Sequence, residues 1–475
     1  MTALALTAAW VAAAMHGSIV AGDMSRAFTG VSIDTRTLKA GELFVAIKGE
    51  RFDGAQFVDQ AIAGGASGVV VPTLGAQPFR AAGGAAPKGL ATDVAVIAVD
   101  DTTVALQSLA RTIRRESGTR VVAITGSAGK TTTKEVTSEF LSARYRVIKN
   151  RGNLNNHIGL PLSLIELAAR PEIAVVELGM NHAGEIALLV GIAEPDVRVW
   201  TNVGEAHLGF FASVDAIADA KAEIFDGASA STVLVANADD DRIVARLPRF
   251  RGRTVTFGIE RDADVRATGV VDGGVDGMRA RLATRRGAVD IQTPLVGRSN
   301  LANVLAAAAV ALEFDVPLDA IARRARGLRP AAHRGEVVKL ASGVTIIDDS
   351  YNANPTATRR ALDVLASASA ARRLAVLGEM LELGDRSVAL HEEVGRAAAR
   401  AGVHLLVTVG DAPAAALADA AIAAGLARSS VHHFAASDEA AEFVASTAAR
   451  GDLVLVKGSR GIKTDRVVER LKERG

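Results

Sequence analysis

Five short runs near the middle of the chain are apolar at consecutive positions rather than alternate ones: V-V-A-I-T, R-V-I-K-N, A-V-V-E-L, V-R-V-W-T-N and T-V-L-V-A-N. A strand with one wet face alternates apolar and polar residues, so runs of this kind are strands covered on both faces. Stretches of helical pattern separate them, which predicts a mainly parallel sheet with helices on both sides. After Gly258, R-A-T-G-V-V-D-G-G-V-D-G-M-R-A-R-L-A-T reads as strand, Asp-Gly turn and strand, a small antiparallel addition, and an alanine-rich helix follows from Leu301 to Leu312.

Beyond Gly327-Leu328-Arg329-Pro330 a second series begins, with strands V-T-I-I-D-D, R-L-A-V-L-G, L-L-V-T-V-G and L-V-L-V-K-G, which predicts a Rossmann-like domain. Before Arg120 the pattern is short strands and turns (V-S-I-D-T-R, E-L-F-V-A-I-K-G, G-V-V-V-P, V-A-V-I-A-V-D), then a helix from Thr102 to Arg115. The Gly/Ala/Pro-rich stretch Leu74 to Gly89 reads as a loop or insertion. The expected fold class is α/β with three domains, at residues 1–118, 119–328 and 329–475, a division that suits 475 residues at roughly 150 per domain.

Composition removes several function classes. Fifty-four basic residues against 53 acidic give a net charge of +1, and aromatics make up 4%, so neither the basic face nor the stacking rings of a nucleic-acid binder is present. The absence of cysteine excludes disulfides, thiolate catalysis and zinc-thiolate sites. The opening M-T-A-L-A-L-T-A-A-W-V-A-A-A-M-H-G has no Lys or Arg before Arg26 and is shorter than the ~20 residues of a membrane-spanning helix. It reads as a buried alanine-rich helix, with a cytoplasmic location and no stable membrane insertion expected.

Between the strand Val121 to Thr125 and the helical pattern from Thr131 lies T-G-S-A-G-K-T-T. The full phosphate loop is G-x-x-x-x-G-K-[ST]; here Ser127 and Ala128 alone separate Gly126 from Gly129-Lys130-Thr131. A strand-to-helix turn offers amides and the positive end of a helix dipole to an anion. A tight glycine turn with a surface lysine is the bland alternative, outweighed by the order of strand, glycines, lysine and threonines. Glu177 ends A-V-V-E-L, and His207 in T-N-V-G-E-A-H-L follows the next strand. Ligands of open α/β sheets collect at that edge, where a carboxylate must be solvated, paired or metal-bound. Singly, Glu177 reads as a loop cap and His207 as a core histidine; beside the phosphate loop they point to a Mg²⁺-nucleotide site.

With these residues in place the sequence resembles the Mur ligase family, ATP-dependent amide-bond ligases that build the peptide of the peptidoglycan precursor. The family's loop is T-G-[ST]-x-G-K-T-[ST], so the shortened form is its own. Further matches follow in order: E-L-G-M-N with Glu177, E-A-H-L with His207, D-A-K-A-E-I-F with Lys221, S-N-L-A-N-V-L with Asn300 and Asn303, H-R-G-E with Arg334, and D-D-S-Y-N-A-N-P with Asp349. The resemblance covers the whole chain and implies an N-terminal UDP-sugar-binding, a central ATP-binding and a C-terminal Rossmann-like domain. Together with L-G-E-M-L-E-L-G, R-G-N-L-N-N-H-I-G-L-P-L and K-G-S-R, D-D-S-Y-N-A-N-P is most similar to the branch that adds D-alanyl-D-alanine to UDP-N-acetylmuramoyl-tripeptide. His157 departs from that pattern, which more often has an acidic residue there, and the D-N-P-R tetrapeptide of the diaminopimelate-adding branch is missing. The rival readings are a diaminopimelate- or lysine-adding ligase, folylpolyglutamate synthase, or a nucleotide switch without ligation.

The resemblance implies that ATP phosphorylates the tripeptide carboxylate and that the dipeptide amine attacks the acyl phosphate. It assigns Lys130 to the β/γ-phosphates, with Gly126, Ser127, Ala128, Gly129, Thr131 and Thr132 cradling the nucleotide. Thr131 and Glu177 are assigned to the nucleotide's Mg²⁺ and His207 to a second Mg²⁺. Lys221 matches a carbamylated lysine, whose anionic carbamate offers oxygen ligands to Mg²⁺; read without the family, it is a solvated helix lysine between Asp219 and Glu223. Asn303, Arg334 and Asp349 match ATP contacts, the last two from the third domain, so closure would assemble the site and exclude water. Ser32 and Arg36 of S-I-D-T-R, with K-G-E-R-F-D-G, match the UDP-sugar pattern, Arg36 pairing with the diphosphate. Asn153, Asn155, Asn352 and Lys457 are expected to face substrate, and a monomer is expected.

Overall fold

The computed structural model describes residues 2–49, 52–73 and 94–475. The glycine-rich stretch 74–89 lies outside them, as do two residues of the K-G-E-R-F-D-G match. The chain forms two compact units, one of Met1–Ala123, Tyr145–Met180 and Gly184–Asp196, the other of Ile124–Arg144, Asn181–Ala183 and Val197–Gly475.

In the first unit a five-stranded sheet runs Ser18–Ala21, Ala95–Val99, Gly68–Pro72, Leu43–Val45, Val31–Ser32, parallel except for its antiparallel first edge. Val69, Val70, Ala95, Val96 and Ile97 are fully buried at consecutive positions, which is why these strands read as unbroken apolar runs. Helix Thr102–Ser117 starts on Asp101, which accepts from the amides of Thr103 and Val104, and ends at Gly118 with φ 70°. Its Arg111, Arg114 and Arg115 reach Glu194 and Asp196. Strands Val147–Lys149 and Ile173–Glu177 pair in parallel. The N-terminal helix is shorter than expected, Ala8–Ala14, because Leu6–Thr7 pairs antiparallel with Ala27–Phe28. Among the described residues no helix is long and apolar enough to cross a membrane.

The second unit continues the α/β pattern. Val197–Trp200, Val233–Asn237, Arg253–Gly258 and Val265–Asp272 are parallel neighbours, and Met278–Thr284 and Gly287–Thr293 add antiparallel strands. The turn after Asp272 is a 3₁₀ turn, Gly274–Asp276, rather than a two-residue one. Arg253–Gly258 and Gly287–Thr293 were not expected: each mixes buried with partly or fully exposed positions, so the consecutive-apolar signature is missing. Helix Arg298–Glu313 begins before its apolar run and thereby carries Asn300 as well as Asn303.

The six-stranded C-terminal sheet runs Glu336–Lys339, Thr345–Asp349, Asp452–Lys457, Arg372–Gly378, Leu405–Val409, Val431–Phe434. Its four central strands are those expected. The first edge is antiparallel, and both edge strands, E-V-V-K and V-H-H-F, are only partly buried, so they lack the pattern that marked the centre.

Candidate functional site

The loop Gly126–Gly129 leaves the sheet beside Thr201, whose amide donates to the Thr125 carbonyl at 3.0 Å. Gly126 has φ 153° and Gly129 φ 79°. A Cβ on Gly126 would lie 1.9 Å from Thr201 Oγ1, and one on Gly129 2.4 Å from Asn303 Oδ1. Both glycines are therefore required by conformation and by space. The middle of the loop is bound to Thr201–Gly204. Asn202 Oδ1 accepts from the Ala128 amide and its Nδ2 donates to the Ala128 carbonyl, each at 2.9 Å. The Ser127 amide donates to the Asn202 carbonyl at 3.0 Å, and Ser127 Oγ donates to the Gly204 carbonyl at 3.1 Å.

Ser127 and Ala128 thus hold the loop's shape with their own polar atoms. An anion is received instead by the start of helix Lys130–Leu141, where Gly129 at the N-cap carries no side chain to cap the first-turn amides. Lys130 Nζ donates to the Gly126 carbonyl at 2.8 Å, so its ammonium spans the mouth of the loop. Behind it Thr133 Oγ1 donates to Asn303 Oδ1 at 3.2 Å, and Asn303 Nδ2 to Asn300 Oδ1 at 3.2 Å. Asn303 is 6% exposed and braces the loop from behind. Gly129→Ala is expected to destabilise the second unit by about 2 kcal/mol, from the left-handed backbone and the Asn303 clash. Thermal melts check it; an unchanged midpoint would count against a rigid loop.

Lys221 departs most from its sequence-only reading. It lies on helix Val214–Ala222 and is 1% exposed. Burial pushes its pKa well below the usual lysine value, and the charge of Lys130 pushes it the same way. Asp219, expected to flank it, turns to Arg246 at 2.9 Å and Arg249 at 3.5 Å. Among the described residues no carboxylate lies within ion-pair distance of Lys221.

His207, at φ 62°, is no core histidine: it is partly exposed, and its Nδ1 lies 2.7 Å from Glu382 Oε2 in L-G-E-M-L-E-L-G. That bond holds the Glu382 carboxyl below its ordinary pKa. Nearby, Glu205 accepts from Thr356 Oγ1 at 3.1 Å and from Arg359. In the third-domain segment, Asp349, Asn352 and Lys457 come together: buried Lys457 Nζ donates to Asp349 Oδ2 at 2.6 Å and to the Asn352 carbonyl at 3.0 Å. Arg334 stacks on the Tyr351 ring, 4.1 Å from guanidinium carbon to centroid.

In the first unit the Glu177 carboxylate accepts from Asn155 Nδ2 at 2.9 Å, and the Glu177 amide donates to Asn150 Oδ1 at 3.0 Å. Asn155 therefore orients Glu177, whereas Asn153 is exposed. Ser32 Oγ donates to the Asp34 carbonyl at 3.0 Å. Arg36 is engaged by Asp34 at 2.6 Å while its side chain stays 85% exposed. Asn202, Asn150, Glu382 and Tyr351 were missed from the sequence. Three of them left a signal there: Glu382 and Tyr351 stand in L-G-E-M-L-E-L-G and D-D-S-Y-N-A-N-P, and Asn202 is a polar residue just past a buried strand in T-N-V-G.

Three family models match the chain: "Mur ligase family, catalytic domain" at residues 27–114, "Mur ligase middle domain" at 124–311, and "Mur ligase, glutamate ligase domain" at 333–460. UDP-N-acetylmuramoyl-tripeptide D-alanyl-D-alanine ligase of Escherichia coli is 37% identical over 465 residues, 97% of each chain. A crystal structure of MurF from Acinetobacter baumannii superposes with a TM-score of 0.87 at 31% identity, covering 100% of both chains. MurF from Thermotoga maritima, solved in complex with ADP, gives a TM-score of 0.80 at 28% identity over 94% of this chain and 97% of that one.

Proposed function

This chain belongs to the Mur ligase family, and on that premise we propose that it joins D-alanyl-D-alanine to the C-terminal carboxylate of UDP-N-acetylmuramoyl-tripeptide at the expense of ATP. A carboxylate is a poor electrophile and its oxygen a poor leaving group, so it must be activated. In the proposed first step a carboxylate oxygen bonds to the γ-phosphorus as the bond to the β-phosphate oxygen breaks, leaving ADP and an acyl phosphate. The dipeptide amine then attacks the acyl carbon, a tetrahedral intermediate forms, the amine loses a proton, and inorganic phosphate departs.

Two anions meet in the first step, so the protein must concentrate positive charge there. Lys130 exchanges the Gly126 carbonyl for β/γ-phosphate oxygens, and the first-turn amides of its helix receive the phosphate. Arg334, Asp349 and Asn303 are assigned to the nucleotide side, Asn303 as a brace. Asn352 and Lys457 are assigned to substrate, as are Ser32, Arg36 and Asn153 in the first unit. In the second unit Thr131, His207 and a carbamylated Lys221 would hold Mg²⁺, which supplies charge neutralisation to the phosphates. All three present oxygen or imidazole donors once Lys221 is a carbamate.

One observation carries this reading beyond nucleotide binding: a buried lysine of depressed basicity beside Lys130. A simple nucleotide switch has no use for it, whereas a carbamate there would complement the ammonium. The test supplies purified protein with ATP, Mg²⁺, D-alanyl-D-alanine and UDP-tripeptides ending in lysine or diaminopimelate. Phosphate release is expected to need both the tripeptide and the dipeptide, with a product heavier by the dipeptide less water. Release without either substrate would identify a switch instead, and no dipeptide-dependent product from either tripeptide would point to another branch of the family.

A further inference from the structure

The loop that brings Glu382 to His207 is anchored by three successive amides. Glu379 N donates to the Val409 carbonyl at 2.8 Å, Met380 N to His391 Nε2 at 2.9 Å, and Leu381 N to Ser459 Oγ at 2.9 Å. Immediately beyond them Glu382 adopts φ 65°, and its carbonyl accepts from the Gly209 amide at 2.8 Å. The approach is close, since a Cβ on Gly209 would lie 3.1 Å from the Glu382 carbonyl oxygen and one on Gly384 3.0 Å from Gly209 Cα. Small errors in the path of residues 380–382 therefore displace the carboxylate that holds His207.

His391 supplies the middle anchor. It lies on helix Ser387–Arg400 with no exposed surface. Its Nδ1 sits 2.7 Å from the Ser387 carbonyl and so carries the proton, which leaves Nε2 as the bare acceptor for the Met380 amide. The two partners fix one neutral tautomer, and burial also lowers the ring's basicity. A bond back to Ser387 alone could come from many side chains. A donor on one side and an acceptor reaching the Met380 amide on the other call for this ring.

We propose that His391 is a positioning residue for the ligation: by holding the Met380 amide it sets the peptide that delivers Glu382 to Nδ1 of His207. A carboxylate on one ring nitrogen fixes the ring's orientation and tautomer, leaving the other nitrogen directed for ligation. The proposal rests on the ligase reading given above.

The test uses full-length His391→Leu and His391→Gln. Glutamine places an amide oxygen near the Nε2 position, whereas leucine has no acceptor. His391→Leu is expected to lower kcat by about 10- to 100-fold with the KM for ATP changed less than about twofold, and His391→Gln to recover to within about threefold of the unaltered enzyme. Equal losses in both variants, or unaltered turnover in His391→Leu, would overturn the proposal. If His391→Leu does not fold, His391→Asn replaces it: its side chain meets Ser387 but falls short of Met380, and the same loss is expected. Amide exchange of the 380–384 peptide is an independent readout that needs no ligase activity, so it stands even if the ligase reading fails. Exchange should quicken in the Leu or Asn variant and not in Gln; unchanged exchange overturns the proposal. Combined with Glu382→Ala, His391→Leu should add no further loss in kcat, and additive losses would also refute it.

Discussion

Lys130→Met is expected to lower ligation turnover by at least about 1,000-fold, because the ammonium that neutralises the meeting anions is removed from a preorganised, partly enclosed site. The loop should survive the change. Its shape is set by Gly126 and Gly129 and by the bonds of Ser127 and Ala128 to Asn202 and Gly204, none of which needs the lysine side chain. Thermal stability is therefore expected to stay close to that of the unaltered protein, which separates a chemical defect from an unfolded one. Lys130→Arg is expected to restore little, since a planar fork cannot replace a compact ammonium at the mouth of a loop fitted this closely. Kinetics of dipeptide-dependent phosphate release measure both variants. Turnover within about tenfold of normal in Lys130→Met would remove Lys130 from the chemistry.

The loop was legible in the sequence because its requirements are those of the backbone. A left-handed Gly129 and a Gly126 pressed against Thr201 admit one residue type, and that leaves a written trace. The central strands were legible for a similar reason, as burial on both faces forces unbroken apolar runs. The edge strands Glu336–Lys339 and Val431–Phe434, with Arg253–Gly258 and Gly287–Thr293, escaped because half-wet strands look like any mixed segment, whereas the antiparallel pair Val265–Asp272 and Met278–Thr284 was marked by its Asp-Gly turn. Read without the family, Lys221 comes out solvated because its neighbours in sequence are not its neighbours in space. Residues two apart on a helix face opposite ways, so Asp219 reaches Arg246 at the surface while Lys221 points inward. Asn155 was expected to face substrate; its bond to Glu177 depends on a pairing across 22 positions. The His207–Glu382 contact joins residues 175 apart, beyond any local pattern.

Lys221→Ala is expected to lower turnover at least about 100-fold without lowering stability to match. A buried amine resists protonation, here through desolvation first and the Lys130 charge second. Below the ordinary lysine pKa the unfolded chain binds a proton that the folded one holds less tightly, so the bare lysine costs stability, increasingly as the pH falls from about 10.5 toward the depressed value. Its removal can therefore be neutral or stabilising. The unprotonated amine is also the form that adds to carbon dioxide: the nitrogen bonds to the carbon, loses a proton to solvent, and leaves a carbamate anion facing Lys130. Truncation to alanine opens the space that the carbamate would fill, so formate, acetate or propionate should restore roughly tenfold of the lost turnover by supplying a carboxylate there. Lys221→Met fills that space with an uncharged chain and should be equally inactive but beyond rescue. The pair distinguishes a missing anion from a missing side chain. Full activity in Lys221→Ala, or equal response of both variants to added carboxylate, would show that no carbamate acts at this position.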